Sequence, residues 1–299
     1  MDTFYVKTDD KNLTSGFKKL LEDRNMSEGK FPVDFVFLSG EAAYYRNYQN
    51  LKGSLLSNTI RGESIDILTN KVELHKKFAD KGFILSSDIL PPVPNLPSKF
   101  LKILKPFGGF AGEGISVVTT PLEVKDWLSS HTKYKQWVLQ DYIKTPALKN
   151  GKKFHLRVHV VVTLSPYTVW VCKEMRYYLA REKYVQTDWK NSDIHDTHYT
   201  EQDEFFFPAD LPDKWKSGSQ EEINLIIATV FENGKFKPDW NAKNGYYIFG
   251  LDIMFDKKKP ILLEVNQKIG LSEKSLNVLI PGMLDILHGE NPNTFTKIL

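Results

Sequence analysis

The stretch YIFGLDIMFDKKKPILLEVNQ, residues 247–267, leaves the chain few ways to fold. Two apolar runs, 248–255 and 261–265, flank the polar segment Asp256-Lys257-Lys258-Lys259-Pro260, a pattern that predicts a β-hairpin. Folding symmetrically about Lys258 sets Asp252 opposite Glu264, at a cross-strand spacing of roughly 5 Å where like charges destabilise a sheet. Asn266 stands two residues past Glu264 and so shares its strand face. Two readings offset the repulsion. A divalent cation gathers both carboxylates and the amide oxygen, or one acid turns to solvent or pairs with a lysine.

A second stretch carries equal structural information. KFHLRVHVVVTL alternates strictly over residues 153–160, with Phe154, Leu156, Val158 and Val160 on one face and Lys153, His155, Arg157 and His159 on the other. The first face is core. The second is either a solvated sheet face or a wall for an anion, to which guanidinium groups are well shaped. After the Ser165-Pro166 turn, Trp170, Cys172, Glu174 and Arg176 share a face if the next strand persists.

Residues 100–118, KFLKILKPFGGFAGEGISVV from Lys99, predict strand, glycine-rich loop and strand. Gly108, Gly109, Gly112 and Gly114 let the backbone adopt positive φ and approach a ligand. No Gly-Lys-Ser/Thr closes the loop and the run after it is β-like, so it is not a Walker A motif. The alternatives are a flap over nucleotide phosphates and a long hairpin loop. Lys105, at the end of the entering strand, favours the flap.

The remaining elements are predicted from local signals. A small α/β unit opens the chain, with strands at 3–7 and 34–38, a helix bearing Phe17, Leu20 and Leu21, and a tyrosine-rich segment at 44–48 that is either a packed helix face, the favoured reading, or a binding surface. A helix begins at Thr69-Asn70-Lys71 and stops at Gly82, followed by a connector rich in proline. Thr120-Pro121-Leu122-Glu123 opens a helix that ends near His131, with threonine cap, proline and capping-box glutamate. A strand at 136–142 carries Gln140, residues 184–216 form a mobile substrate loop, and Ser219 with Glu222 caps an amphipathic helix. Residues 272–287 are helical with an interruption at Pro281-Gly282.

Composition excludes several classes. Forty basic and 37 acidic residues give a net charge of +3, without a global nucleic-acid footprint. Cys172 is the only cysteine, which rules out an intrachain disulfide and a zinc–thiolate cluster and fits a reducing compartment. No apolar run approaches a membrane span and the first residues lack a signal peptide's pattern, so a cytoplasmic location is expected, with neither membrane nor nucleic acid as partner.

Taken in order, lysine helix, lysine strand with flap, Gln140 strand, cationic strand and acid hairpin resemble the ATP-grasp ligases of the tubulin–tyrosine ligase family. The matching strings are IRGESIDILTNKVEL, KPFGGFAGEGI, QDYIKTPALKNGKKFHLRVHVVV, VCKEMRYYLA and FGLDIMF with ILLEVN. The start TFYVKTDD resembles the amino terminus of the family's tyrosine-adding member. The resemblance implies an α/β (α+β) ATP-grasp fold in three parts: an N-terminal domain at 1–67, a central domain with the flap at 68–143, and a C-terminal domain at 144–299, with ATP between the last two.

It also implies roles. Lys71 and Lys105 would contact ATP, Gln140 and the backbone through Ile143 would hold adenine, and Lys153 and the residue at His155 would face the nucleotide. Asp252, Glu264 and Asn266 would hold Mg²⁺, while Arg157 and Arg176 would bind the acceptor carboxylate or its acyl phosphate. The expected protein is a monomer that joins a free amino acid, tyrosine first, to a carboxylate on an acidic protein such as the tubulin tail. Glutamate or glycine is the alternative donor, and no basic extension follows residue 299, which weighs against a long-chain glutamylase. The sequence departs from the family at His155, where the family has aspartate, and at His198-Tyr199-Thr200-Glu201, where it has His-Leu-Thr-Asn. These departures keep open a catalytically weak nucleotide- or tubulin-binding module.

Overall fold

The alternating strand sits at the centre of the protein. In the computed structural model, which describes residues 2–7, 11–30, 33–38, 55–57, 63–108, 112–198, 205–206, 219–233, 245–267, 271 and 273–299, it spans Lys152–Leu164. One edge pairs antiparallel with Gly245–Asp256, the first arm of the hairpin. The other pairs with Tyr167–Cys172 and then with Met175–Lys183. The strand between these two breaks at Lys173 and Glu174, yet Arg176 still lands directly opposite Arg157.

Strict alternation sends the two faces into different cores. Phe154, Leu156, Val158, Val160 and Val162 pack with Leu251, Ile253 and Phe255 and with Ile223, Ile227 and Val230 of the helix Ser219–Asn233. On the opposite face, Val161, Trp170 and Ile248 meet Leu276, Ile280 and Met283 of the helix Glu273–Leu287 and Phe17 and Leu21 of the helix Lys11–Glu22. Each fully buried side chain of this kind contributes roughly 1.5–3 kcal/mol before entropic costs. Further along that second face, Lys153, His155, Arg157 and His159 are also buried, so it is not a solvated face.

The amino-terminal strands extend the same sheet. Leu55–Ser57 runs parallel to Gly245 and Tyr246, followed outward by Phe35–Leu38, Thr3–Lys7 and Ser27–Glu28, all parallel. A second sheet stands apart, antiparallel throughout, in the order Ser87–Leu90, Trp137–Asp141, Lys102–Pro106, Ser116–Val118. The helix Pro121–Ser130 packs on it through Val124, against Leu90, Leu104, Val118, Trp137 and Leu139. Its start follows the expected chemistry: Thr120 Oγ1 accepts the Glu123 N–H at 3.3 Å. Glu123 returns to the N–H of Thr119 at 2.7 Å, one residue earlier than a standard box.

Two helix boundaries differ from expectation. The helix capped by Asn70 ends at Lys77, with Phe78 as its C-cap, well before Gly82, because Phe78 leaves helical φ/ψ and buries its ring in the core. The helix Glu273–Leu287 runs unbroken through Pro281 and Gly282. Proline removes one backbone bond, but the apolar face of this helix is buried on both sides of it. Gly282 serves packing there: a Cβ would come within 2.5 Å of Thr294 Oγ1 and 2.6 Å of the Phe295 ring.

Of the segment 184–216, residues 184–198 form irregular chain with one short helix, Ser192–His195, and residues 199–204 and 207–216 lie outside the described residues. The tyrosine-rich face at 44–48, Gly109 and Glu201 lie outside the described residues. Among the described residues no helix is long and apolar enough to cross a membrane.

Candidate active site

Asp252 pairs with Glu264 and Gly250 with Asn266 as predicted, but nearer the turn the strands are one residue out of the predicted register, Phe255 opposite Pro260 and Met254 opposite Ile261, and a shift between Asp252 and Ile253 restores it. The charge problem posed by the two acids is met by protein cations. Arg157, on the neighbouring strand directly opposite Asp252, donates Nη2–H to Asp252 Oδ2 at 2.9 Å and Nε–H to Oδ1. Lys71 Nζ lies 2.9 Å from Glu264 Oε2. Asn266 Nδ2 bridges them, 3.2 Å from Asp252 Oδ2 and 2.9 Å from Glu264 Oε1.

These neighbours set the acids apart. Burial pushes the Asp252 carboxyl up, Arg157 opposes that, and the nearby Glu264 adds to the rise. Burial acts the same way on Glu264, but Lys71 and hydrogen bonds from its neighbours outweigh it and hold that carboxyl well below the usual range. Each acid thus has its own cation, Arg157 for Asp252 and Lys71 for Glu264.

The acids open onto a cavity of about 770 Å³ between the two sheets. At the hairpin end its polar lining is Lys71, Lys105, Lys153, His155, Asp252 and Glu264, the far side adds Lys190, Glu123, Asp126 and Asp196, and Ile103, Ile115, Val117, Trp127, Ile143, Met254 and Leu263 supply apolar surface. The glycine-rich loop borders it at Gly112, whose φ of +76° suits glycine. A Cβ at Gly112 would lie 2.7 Å from Asp196 Oδ2, so only glycine leaves room for that carboxylate. Lys190 adds an ion pair to Glu123 at 2.7 Å, tying the 184–198 segment to the helix of the second sheet.

Two cavity lysines are nearly fully buried. Burial pushes Lys105 down to about 8, with Glu264 opposing and Lys71 assisting. Burial and the Lys105 charge push Lys153 down to about 7. Lys153 Nζ donates to the Tyr142 hydroxyl at 3.0 Å and sits over its ring, 4.3 Å from the centroid. The Tyr142 hydroxyl lies 2.6 Å from His195 Nδ1, and His195 Nε2 lies 2.8 Å from the Asp188 carbonyl. The carbonyl requires a proton on Nε2, so Nδ1 accepts from Tyr142.

His155 stacks on Tyr178, with centroids 4.9 Å apart at 6°, and places Nδ1 2.6 Å from Thr197 Oγ1. Its Nε2 stands 3.6 Å from Asp252 Oδ1, and burial with the Arg157 charge keeps the ring neutral. Four other expected site residues do not line the cavity: Gln140, Arg157, Arg176 and Asn266. Gln140 is 1% exposed with its amide engaged by Lys105 and His75. Arg157 and Arg176 face one another across the strands, 5.2 and 4.8 Å from the Tyr178 ring centroid.

Sequence reading missed Tyr142, Thr197, Trp189 and His75, and treated His195 only as an isolated histidine. Nothing in their spacing marks them, because their partners stand far away in the chain.

Two carboxylates and an amide oxygen, available after a half-turn of the Asn266 side chain, form a hard oxygen set. Among the described residues no group of three His, Cys, Asp or Glu could hold a metal ion by itself. The set fits a cation shared with phosphate oxygens, the usual manner of magnesium.

A sequence profile of the tubulin-tyrosine ligase family matches residues 54–275, most of the chain and all of this site. The chain belongs to that family. Its mixed α/β, two-sheet architecture is the family's ATP-grasp fold. Relatives include a probable tubulin polyglutamylase from Caenorhabditis elegans, 26% identical over 226 residues, covering 64% of this chain and 54% of that protein. A tubulin glycylase from Tetrahymena thermophila is 29% identical over 195 residues, 55% of this chain and 18% of that protein. A probable tubulin–tyrosine ligase from Schizosaccharomyces pombe is 28% identical over 148 residues, 44% of this chain and 36% of that protein. The chain thus spans about half the length of the worm relative and less of the others.

Proposed function

We propose that this chain is an ATP-dependent carboxylate–amine ligase that adds an amino acid to a carboxylate of an acidic protein, tubulin first among candidates. The observation that carries this reading is the convergence of Lys71, Lys105 and Lys153 with Asp252 and Glu264 on one cavity between two sheets. Three ammonium groups suit phosphates, and two acids beside them suit the cation that accompanies phosphates.

In this reading the base lies against the apolar wall of Ile103, Met254 and Leu263 and the backbone through Ile143. Gln140 is committed to Lys105 and His75, so it acts behind the nucleotide rather than on the base. Lys105 and Lys153 hold phosphate oxygens. Bound Mg²⁺, held by Asp252, Glu264 and Asn266, would neutralise charge on those oxygens. Arg157 is committed to Asp252 and so fixes that carboxylate from behind the cavity wall; Arg176 is the guanidinium assigned to the acceptor carboxylate, whose fork it matches.

An acceptor carboxylate oxygen attacks the γ-phosphorus and ADP leaves, giving an acyl phosphate. The amine of the incoming amino acid attacks the acyl carbon, a tetrahedral intermediate collapses, phosphate departs and the nitrogen loses its extra proton. The chain's contribution is positioning and charge stabilisation. No enzyme nucleophile is required, and Cys172 is unsuited to be one, since burial pushes its thiol up to about 12.

The relatives' names do not support tyrosine as the donor above others; they name polyglutamylases most often, then glycylases. We therefore place glutamate first, glycine second and tyrosine third. The test is incubation with Mg-ATP, detyrosinated tubulin and each labelled amino acid. ATP-dependent label on tubulin supports the reading. ATP binding without transfer of any amino acid to any acceptor sinks it and leaves a nucleotide-binding module.

A further inference from the structure

Behind the lysine wall runs a buried chain of side chains from three separate elements. Lys105 Nζ donates to Gln140 Oε1 at 2.8 Å, Gln140 Nε2 lies 2.8 Å from His75 Nε2, and His75 Nδ1 lies 3.3 Å from the carbonyl oxygen of Lys71. Lys105, Gln140 and His75 are 7%, 1% and 2% exposed. Only Lys105 of the three reaches the cavity.

The polarity of this chain is fixed from its charged end. An ammonium has donors only, so the amide of Gln140 must turn its oxygen to Lys105 and its NH₂ to His75. An N–H aimed at Nε2 needs a lone pair there, which places the imidazole proton on Nδ1, toward the Lys71 carbonyl. One neutral tautomer satisfies both bonds. Burial and the Lys105 charge support it by holding His75 down at about 4.

Without the imidazole, the buried Gln140 NH₂ loses its acceptor, so the amide shifts to find another and its oxygen no longer stands at a fixed place for the ammonium. Lys105 would then leave its place on a flexible four-carbon stem. The same imidazole also registers the first turn of the helix Lys71–Lys77 against the second sheet, and Lys71 is the partner of Glu264.

We infer that His75 is a positioning residue for the nucleotide: through Gln140 it holds the Lys105 ammonium against the cavity, and through the Lys71 carbonyl it registers a second cavity lysine with it. The inference rests on the nucleotide reading of the cavity.

The experiment measures Mg-ATP affinity calorimetrically, alongside kcat and KM values and melting temperature, for wild type and for H75L, H75Q, H75N, Q140L, H75L/Q140L and K105A. Leucine fills the site without an acceptor. H75L is expected to weaken ATP binding and raise the ATP KM about ten-fold, the effect of losing one orienting hydrogen bond, with kcat and the amino-acid KM nearly unchanged. In H75Q a side-chain carbonyl accepts from Gln140, and most of the affinity returns. H75L/Q140L is expected to be no worse than Q140L, since the two act through one chain.

Unaltered ATP affinity in H75L while K105A loses it would overturn the inference. So would H75Q no better than H75L, which would make His75 a packing residue. Should H75L fail to fold, H75Q against H75N decides: the shorter asparagine cannot span both partners, and equal affinities would overturn the inference. Failure of the wild type to bind ATP, or indifference of binding to K105A, would instead overturn the nucleotide reading.

Discussion

Arg157 holds Asp252 by both carboxylate oxygens, and the two side chains are only 9% and 3% exposed. Removing one member of a buried pair strands the other charge, which costs about 3–5 kcal/mol. Arg157→Met is therefore expected to lower unfolding free energy by about that amount in urea titrations. Asp252→Asn keeps an acceptor for the guanidinium and should cost less, yet abolish turnover by removing an oxygen charge beside the phosphates.

His155 stands 3.6 Å from Asp252 Oδ1 as a neutral ring. His155→Asp would put a third carboxylate beside Asp252 and Glu264. Like charges so placed repel, and a cation relieves them. The variant is expected to melt several degrees below wild type in chelator and to gain more from Mg-ATP than wild type does. A thermal melt with and without Mg-ATP reads both effects; no difference in the gain would mean that His155 does not face the ion.

Lys153 and Lys105 titrate near 7 and 8 because burial disfavours their charged forms. A bound polyphosphate favours those forms, so nucleotide binding must take up protons where the free lysines are partly neutral. The sign is definite: ATP affinity declines as pH rises from 7 to 9, up to about ten-fold per pH unit for each neutral lysine above its pKa. Calorimetry at pH 7.5 in buffers of different ionisation enthalpy should show net proton uptake. Net release would contradict it.

Gly112 combines a φ of +76° with a backbone approach to Asp196. Gly112→Ala is strained on both counts, by about 1–2 kcal/mol for the backbone alone. Because the contact lies between loop and 191–198 segment, the loss should fall on nucleotide binding: a raised ATP KM with a small change in melting temperature.

How much of this was legible in the sequence follows from range. The pairing of Asp252 with Glu264, the two faces of the strand Lys152–Leu164 and the caps at Asn70 and Thr120 depend on neighbours a few residues away, and periodicity reveals them, whereas the bulge beside Asp252 was not legible. The burial of the basic face was not legible, since it depends on packing between sheets. Nor was the joining of Leu55–Ser57 to Gly245 and Tyr246, a pairing across nearly two hundred residues. His75 and Tyr142 matter through hydrogen bonds to residues distant in the chain, which leave no pattern. Pro281 misled because its local cost was real but smaller than the burial around it.

The central claim is that this cavity activates a carboxylate by phosphorylating it. An acidic acceptor peptide bearing ¹⁸O in its carboxylates, incubated with Mg-ATP and the donor amino acid, tests it directly by mass spectrometry of the released phosphate. An acyl phosphate leaves one acceptor oxygen on phosphate, so the account predicts one ¹⁸O-labelled phosphate and one ADP per amide bond formed, and none of either with Glu264→Gln. Amide formation with unlabelled phosphate, or with AMP and pyrophosphate, would contradict it.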